Sequence, residues 1–246
     1  MNEVMIKIKN VSKKFGDLWA IKDLNLDIHK SEIFVFLGPN GAGKTTTLKL
    51  LTGLLKPTVG KIEIAGYNIQ THPVDAKKLL AYIPDEPYLY EKLTGREFLN
   101  FVSALYGIPK SQTEDRIQEF VEYFEMNSYI DDLIQGYSHG MKQRLVFSAA
   151  FIHDPQVIVI DEPLVGLDPA SARKVKQLLK TKSQQGLTVC VSTHTLSFAE
   201  EIATRIGIID KGLLLAVGNL KELKTKSGIE GRLEEVFLKI TREQNA

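Results

Sequence analysis

The 246-residue sequence is poor in cysteine and tryptophan, with one of each, and it has no long hydrophobic run. Cys190 cannot form an internal disulfide, and its apolar neighbours indicate a buried structural thiol rather than a reactive one. No stretch approaches the roughly 18 consecutive apolar residues that a membrane-spanning helix needs. The first residues also lack the basic and apolar regions of a secretory signal peptide, so we expect the protein to fold in the cytosol.

An excess of either charge is also absent. The sequence has 31 basic and 30 acidic residues, which leaves a net charge of +1. Bulk electrostatics therefore give no attraction to nucleic acid, and we expect no nucleic-acid partner. The hydrophobic share of 43% is typical of a soluble globular protein, and the length fits one large α/β domain or two small ones.

The hydrophobic patterns predict two kinds of strand. Alternating segments, typical of half-buried antiparallel strands, occupy residues 5–9, 24–28 and 61–65. Continuous apolar segments, typical of fully buried parallel strands, occupy residues 34–37, 157–160 and 189–192.

Helical spacing replaces both strand patterns between about residues 94 and 154. Two helices are indicated there by the spacing of Phe98, Phe101, Val102 and Leu105, and then of Ile117, Phe120, Val121 and Phe124. No low-complexity linker separates this block from its flanks. We therefore predict a single unit spanning residues 1–246, with a helical subdomain inserted at 88–154 and charged peripheral helices at 222–246.

A glycine-rich segment follows the first buried strand and precedes a predicted helix. Glycines at positions 38, 41 and 43 let the backbone curl so that its N–H groups point at phosphate oxygens, and Lys44 adds a positive charge. The hydroxyl of Thr45 suits Mg²⁺. The alternative is a plain turn, but both flanks fit a P-loop. The sequence thus predicts a nucleoside triphosphate held by Gly38, Pro39, Asn40, Gly41, Ala42, Gly43, Lys44, Thr45 and Thr46.

Two carboxylates end the second buried strand. Asp161 and Glu162 follow four apolar residues, and ligands of α/β sheets bind at the carboxyl ends of strands. Asp161 is placed to hold the shell of Mg²⁺, and Glu162 to accept a proton from an attacking water. A surface acidic pair is the alternative, which the P-loop makes less favourable.

A further motif, at residues 137–144, begins with Tyr137, Ser138, His139 and Gly140 and leads into a predicted helix. Here the chain resembles the ATP-binding subunits of ABC transporters, whose signature is usually written LSGGQ. The resemblance covers essentially the whole chain, because the P-loop, this signature, the acidic pair and the later Asp168 and His194 come in the order of that family. It implies an α/β fold with a P-loop NTPase core of mostly parallel sheet, an antiparallel β subdomain and a helical subdomain.

The resemblance also implies roles for single residues. His194 is similar to the histidine that contacts the γ-phosphate and orients Glu162. Ser138 and Gly140 are similar to the signature positions that close over the nucleotide of a second subunit, and Asp168 to the residue that reaches the partner's P-loop. Phe15 is similar to the aromatic residue that stacks on adenine, although a plain core phenylalanine is the alternative.

Some positions depart from the family pattern. His139 replaces a glycine and Met141 a glutamine in the signature, which puts hydrogen bonds from these two positions in doubt. A histidine beside phosphate could titrate near neutral pH, although a solvated residue next to the helix cap is the commoner case. Asp85 stands where the family usually has glutamine, and its carboxylate could ligate Mg²⁺ directly or through water.

The resemblance implies an ATPase subunit of a transporter. Two copies, or one copy and a paralogue, would enclose two MgATP head to tail, and the dimer would dock on separate membrane subunits at the cytoplasmic face of the membrane. Residues 87–93 are a candidate docking surface or, alternatively, internal packing. Some details resemble the ABC-2-type exporter branch. The alternative function is a soluble ABC-type ATPase in translation or DNA maintenance, and a P-loop kinase or GTPase regulator would not explain the signature.

Overall fold

A computed structural model describes residues 3–243, which form ten strands and nine α-helices in that part of the chain. The strands are β1 (Val4–Phe15), β2 (Leu18–His29), β3 (Ile33–Leu37), β4 (Val59–Ile64), β5 (Tyr67–Asn68), β6 (Leu80–Ile83), β7 (Val157–Asp161), β8 (Thr188–Thr193), β9 (Arg205–Asp210) and β10 (Leu213–Gly218). The helices are α1 (Lys44–Leu51), α2 (Pro73–Lys78), α3 (Gly95–Leu105), α4 (Lys110–Tyr123), α5 (His139–Phe151), α6 (Pro169–Gln184), α7 (Leu196–Ile202), α8 (Leu220–Ser227) and α9 (Leu233–Glu243).

The strands form two sheets of different character. The first is antiparallel, with strand order β2-β1-β4-β5. The second has the order β10-β9-β3-β8-β7-β6, in which all neighbours pair in parallel except β10, which pairs antiparallel with β9 at the edge. The mixed α/β fold predicted from the sequence is therefore confirmed.

The parallel sheet is buried on both faces, which explains its continuous apolar strands. Successive side chains of a strand point to opposite faces. In β3, Phe34 and Phe36 pack into the core shared with the antiparallel sheet, whereas Ile33, Val35 and Leu37 pack into the core shared with the helices. The central strand thus joins the two hydrophobic cores.

Helices α3, α4 and α5 occupy the chain between β6 and β7. Thr94 caps α3 by accepting a hydrogen bond from the Glu97 N–H, and the Glu97 carboxylate accepts one from the Thr94 N–H. A 3-10 turn at Ile134–Gly136 leads towards α5. In the region predicted at 222–246, α8 begins at Leu220 and α9 ends at Glu243, and residues 244–246 lie outside the described residues. The apolar residues Leu223, Leu233 and Val236 of these helices are buried in the core on the helical side of the sheet.

The predicted strands are all present, most of them longer than the sequence pattern indicated. The helix after the P-loop begins at Lys44, and Cys190 lies fully buried in β8, where burial raises the pKa of its thiol. The hairpin of β9 and β10 was not predicted, although its turn contains the Lys211-Gly212 pair between two apolar segments. Among residues 3–243, no helix combines the length and the hydropathy that crossing a membrane requires.

Candidate nucleotide site

One cavity opens at the carboxyl ends of the parallel strands, as expected for an open α/β sheet. Its volume is about 630 Å³. The cavity brings together residues from the P-loop, from the ends of β6 and β7, from the antiparallel sheet and from the β9–β10 turn. They are Phe15, Leu18, Trp19, Ala20, Lys22, Asn40, Gly41, Gly43, Lys44, Thr45, Thr46, Asp85, Asp161, Glu162, Lys211 and Gly212.

The P-loop follows a path that only glycine permits at two points. At Gly38, an added Cβ atom would lie 2.2 Å from the carbonyl oxygen of Ile209. At Gly43, φ is +105°, and a Cβ atom would lie 2.7 Å from Cδ1 of Ile21 and 2.8 Å from the carbonyl oxygen of Ala20. These close contacts press the loop against the antiparallel sheet and against β9, which fixes the entry into α1.

Lys44 lies at the start of α1 with its side chain buried under the loop. Its Nζ donates to the carbonyl oxygens of Gly38, at 2.7 Å, and Pro39, at 3.0 Å. Burial lowers the pKa of the Lys44 ammonium, and the negative charges of Glu162 and Asp161 act in the opposite direction. Lys44, which is predicted to bind the phosphates, therefore lies where the negative charge of a bound nucleotide would stabilise its ammonium group. Gly38 and Pro39 do not line the cavity themselves, and the Ala42 side chain packs in the core.

The two carboxylates after the apolar part of β7 have different surroundings. Asp161 is buried and accepts a short hydrogen bond from the Ser192 hydroxyl of β8. Glu162 is half-buried and has a positive φ of 48°, while its N–H donates to the Ser192 carbonyl at 3.0 Å. A left-handed backbone is unusual for glutamate, and the bond to β8 holds it there.

Three groups at the end of β8 fix the Glu162 side chain. His194 Nδ1 lies 2.8 Å from Oε1, and the His194 N–H donates to the same oxygen at 3.1 Å. The Thr193 hydroxyl donates to Oε2 at 2.9 Å. The structure thus places His194 against Glu162. Thr193 was not predicted, although its position next to His194 at the strand end was a usable signal.

Asp85 lies in the same cavity as the other two carboxylates. Burial, followed by the charges of Asp161 and Glu162, raises the pKa of its carboxyl group. Three carboxylates facing one space repel one another, and a bound cation would relieve that repulsion. Among the described residues there is no cluster of three or more His, Cys, Asp or Glu side chains arranged as a metal site. The donor set instead fits Mg²⁺, which binds through one or two carboxylates together with phosphate oxygens and water.

Aromatic side chains line the outer part of the cavity. Phe15 is 45% exposed and Trp19 is 39% exposed. Phe15 is therefore not a plain core residue. Trp19 was not predicted, yet the only tryptophan of the sequence, four positions after Phe15, was a signal that could have been used.

The β9–β10 turn closes the same side of the cavity. The Gly212 N–H donates to the Ala42 carbonyl at 2.9 Å, and the Lys22 N–H donates to the Gly212 carbonyl at 2.8 Å. This turn links the P-loop to the antiparallel sheet. Its contribution was missed because the hairpin itself was not predicted.

The predicted signature residues lie outside the cavity. Ser138 caps α5 by accepting from the Met141 N–H at 3.3 Å, and the Ser138 N–H donates to Met141 Sδ at 3.4 Å. The Met141 sulfur thus takes the place of the side-chain oxygen that usually completes a capping box. Gly140 is partly exposed beside it.

Asp168 likewise lies outside the cavity, at the start of α6. Its Oδ1 accepts from the N–H groups of Ala170, at 2.9 Å, and Ser171, at 3.0 Å. The hydroxyl of Ser171 donates to Oδ2 at 2.6 Å. This hydrogen bond and the two backbone donors, with Arg144 nearby, lower the pKa of Asp168 to about 2. Asp168 thus caps α6, directly before Pro169.

Comparison with known proteins decides the family. A sequence model described as "ABC transporter" matches residues 21–165, which is more than half of the chain. The chain belongs to the ABC transporter family.

Relatives and solved structures agree with this assignment. The chain is 37% identical over 211 residues to the SkfA peptide export ATP-binding protein SkfE of Bacillus subtilis, covering 86% of this chain and 87% of that protein. The solved structure of an ATP-binding subunit of an ABC transporter superposes with a TM-score of 0.92 at 30% identity, covering 96% of this chain and 99% of that one.

A second similar solved structure contains a bound nucleotide. It is an ATP-binding cassette in a dimeric post-hydrolysis state with bound ADP and Pi, and it superposes with a TM-score of 0.80 at 27% identity, covering 88% of this chain and 99% of that one. The ABC chain is thus an ATP-binding subunit with ATPase activity, and ATP is its nucleotide. The soluble alternative in translation or DNA maintenance has no support among these matches.

Residues 87–93 of the ABC subunit include both buried and exposed side chains. Leu89 is buried and Leu93 packs against the helical core, as the internal alternative predicted. Tyr88 is 87% exposed and Tyr90 is 49% exposed. The two tyrosine rings lie 6.0 Å apart edge to face, and Tyr90 makes a similar contact with Phe101 at 5.4 Å.

Proposed function

We propose that the subunit works as a head-to-tail dimer, of two copies or of one copy and a paralogue, with two MgATP at the interface. The observation that carries this proposal is the separation of the motifs. P-loop residues line an open cavity, whereas the exposed Ser138 and Asp168 and the partly exposed Gly140 lie outside it. A second chain that presents its α5 N-terminus to the γ-phosphate would complete the site, since helix N-termini favour anions. The dimeric state of a related cassette supports this arrangement.

In the proposed reaction, water attacks the γ-phosphorus of ATP in line with the departing ADP. Glu162 takes the proton from this water, and its hydrogen bonds to Thr193 and to both nitrogen donors of His194 hold the carboxylate in one orientation. Lys44 stabilises charge on the β- and γ-phosphates. Thr45, Asp161 and Asp85 would hold Mg²⁺, which supplies neutralisation of the charge on the transferred phosphoryl group.

We also propose that residues 88–154 form a helical subdomain that docks on separate integral membrane subunits at the cytoplasmic face. The exposed Tyr88 and Tyr90, with Phe101 beside them, give this region an apolar surface that a monomer would not need. The relative SkfE is named for peptide export, which favours export over import.

The composite site can be tested with two variants in one mixture. Ser138→Arg places a bulky cation where the partner's phosphates would come, so it should block hydrolysis but leave ATP binding by the monomer unchanged. Lys44→Ala should abolish high-affinity ATP binding in its own chain. A mixed dimer then has one site with an intact P-loop and an intact facing signature, and one site damaged on both sides.

The expected result is that the mixture hydrolyses ATP although neither variant does so alone at the same total concentration. Loss of ATP binding by the Ser138→Arg monomer, measured by equilibrium titration, would mean that position 138 serves its own cavity. The two-chain site would then be wrong.

A further inference from the structure

His139 lies where the family resemblance predicts a glycine, and its side chain covers the loop that follows β7. We define the 162–168 loop as the segment from Glu162 to Asp168. The His139 Nε2 atom lies 3.3 Å from the carbonyl oxygen of Val165 in this loop. Since a carbonyl only accepts hydrogen bonds, Nε2 carries the hydrogen and donates it.

The loop backbone is shaped to receive this ring. A Cβ atom added at Gly166 would lie 1.9 Å from Cδ2 and 2.2 Å from Nε2 of His139. The φ of Gly166 is +75°, a left-handed value that glycine adopts at low cost. The imidazole therefore lies directly on the bare backbone of Gly166, and a side chain at position 166 would have to displace the ring from this contact.

A second contact holds the end of the same loop to the same helix. Arg144, one and a half turns further along α5, donates to Asp168 Oδ2 at 3.4 Å and to the Ser171 hydroxyl at 2.8 Å. The 162–168 loop is thus attached to α5 at its middle and at its end, while its first residue, Glu162, is fixed by Thr193 and His194.

We propose that His139 is a positioning residue that couples two nucleotide sites through the 162–168 loop. The inference rests on the proposed dimer, in which Glu162 of a chain serves one ATP and the α5 N-terminus of the same chain serves the other. A shift of α5 as it closes over one nucleotide is passed by the imidazole to Val165 and Gly166, and so towards Glu162. Glycine at position 139 would leave a gap at this contact.

The hydrogen bond does not require a charged ring, because Nε2 carries a hydrogen in one neutral tautomer and in the imidazolium form. His139→Gln should therefore preserve much of the effect, since its amide nitrogen is a donor of similar reach. His139→Gly should remove it. His72 precedes α2 and is exposed, so His72→Gly controls for the general effect of replacing histidine by glycine at the start of a helix.

The first measurement uses the nucleotide-free monomer and does not depend on the dimer. In His139→Gly, hydrogen exchange of amides in the 162–168 loop should accelerate about fivefold, the factor that corresponds to one hydrogen bond of roughly 1 kcal/mol. The thermal midpoint should remain that of the His72→Gly control. Unchanged exchange in the loop would overturn the proposed contact.

The second measurement is the ATP dependence of hydrolysis. We expect the Hill coefficient of His139→Gly to fall towards one while ATP affinity of the monomer stays the same, and His139→Gln to recover most of the cooperativity. Faster loop exchange with unchanged cooperativity would overturn the coupling role. If the wild-type chain itself forms no ATP-dependent dimer, the proposed function is wrong instead. The hydrogen-exchange measurement on the monomer still tests the contact between His139 and the 162–168 loop.

A double-mutant cycle gives a further test. Gly166→Ala should be far more damaging with His139 present than in the His139→Gly background, because only the backbone strain at position 166 remains in the latter. Equal effects in the two backgrounds would show that the ring and the loop are not coupled.

Discussion

The cavity at the carboxyl ends of the strands and the surface at the start of α5 and α6 are both predicted to bind phosphate, yet they differ in how their polar groups are satisfied. In the cavity, charged groups are held under unfavourable conditions: burial lowers the pKa of Lys44, and burial with neighbouring carboxylates raises the pKa of Asp85. At the exposed surface, Ser138 and Asp168 are satisfied by their own helices, and hydrogen bonds lower the pKa of Asp168 to about 2.

This difference indicates which surface can hold a nucleotide alone. The cavity is concave, and its buried charged groups, Lys44 and Asp85, would be stabilised by bound phosphate and a bound cation. Such perturbed charged groups are common at functional sites. Ser138 and Asp168 lie outside this cavity, and their side chains already act as caps of α5 and α6. The surface around them can offer only the remaining helix N–H groups to a ligand brought by another chain. The following experiments test that division, from the largest expected effect to the smallest.

Glu162→Gln should decrease hydrolysis by about 10³-fold, because an amide cannot take a proton from water and general-base catalysis contributes roughly 10²–10⁴-fold. ATP binding should persist, and the variant should accumulate as an ATP-bound dimer in size-exclusion chromatography. Glu200→Gln, an exposed position in α7, is the matched control. Wild-type turnover in Glu162→Gln would assign the general base to another residue.

Lys44→Ala should weaken ATP binding by roughly 10- to 100-fold, because charge-assisted hydrogen bonds to phosphate contribute about 1.5–3 kcal/mol. Isothermal titration of the monomer measures this directly. Lys49→Ala removes an exposed lysine of the same helix and should bind as the wild type does. Equal affinities for both variants would contradict the P-loop assignment.

Asp85→Gln should shift the Mg²⁺ dependence of hydrolysis to higher concentration, since a charged metal ligand is lost. Asp85→Ala should lose more activity, because no side-chain oxygen remains. Glu86→Gln removes an adjacent exposed charge and serves as the control. A rate and metal dependence unchanged in Asp85→Ala would make the residue only a turn former beside Pro84.

Whereas Asp85→Gln should impair hydrolysis, it should stabilise the nucleotide-free protein. A carboxyl whose folded pKa is raised contributes its stabilisation below the unfolded pKa and loses it as pH rises through the folded value. Charged Asp85 therefore opposes folding of the nucleotide-free protein at neutral pH. Asp85→Gln should raise the thermal midpoint at pH 7, and the gain should shrink as the pH falls through the raised folded pKa and be absent below about pH 4, near the pKa of aspartate in the unfolded chain. A lower midpoint at pH 7 would show that the carboxylate is stabilised in the fold.

Ser138→Ala should reduce the free energy of unfolding by about 1 kcal/mol, the usual contribution of a serine cap. Thr94→Ala removes the equivalent cap of α3 and should cost a similar amount. Only Ser138→Ala should also decrease hydrolysis, because Thr94 does not face the proposed interface. If both variants lose stability and neither loses activity, Ser138 acts only as a cap.

The sequence predicted elements best where one physical cause dominated. The strands β3, β7 and β8 are buried on both faces, so their apolar residues are continuous and unambiguous. The hairpin of β9 and β10 was missed because β10 is an edge strand of partly buried residues, whose pattern does not stand out from that of loops. Trp19 was missed for a related reason, since only the antiparallel sheet brings it to the cavity beside the P-loop.

By itself, the sequence determined the P-loop, the acidic pair at the end of β7 and the cap of α5, because each depends on residues adjacent in the chain. Only the tertiary structure decided that Asp85, Asp161 and Glu162 share one cavity, while Ser138, Gly140 and Asp168 lie outside it. It also decided that His139 covers Gly166. Strand order and the packing of α5 against the 162–168 loop set these distances, and both arise from the burial of apolar residues far apart in sequence rather than from any local motif.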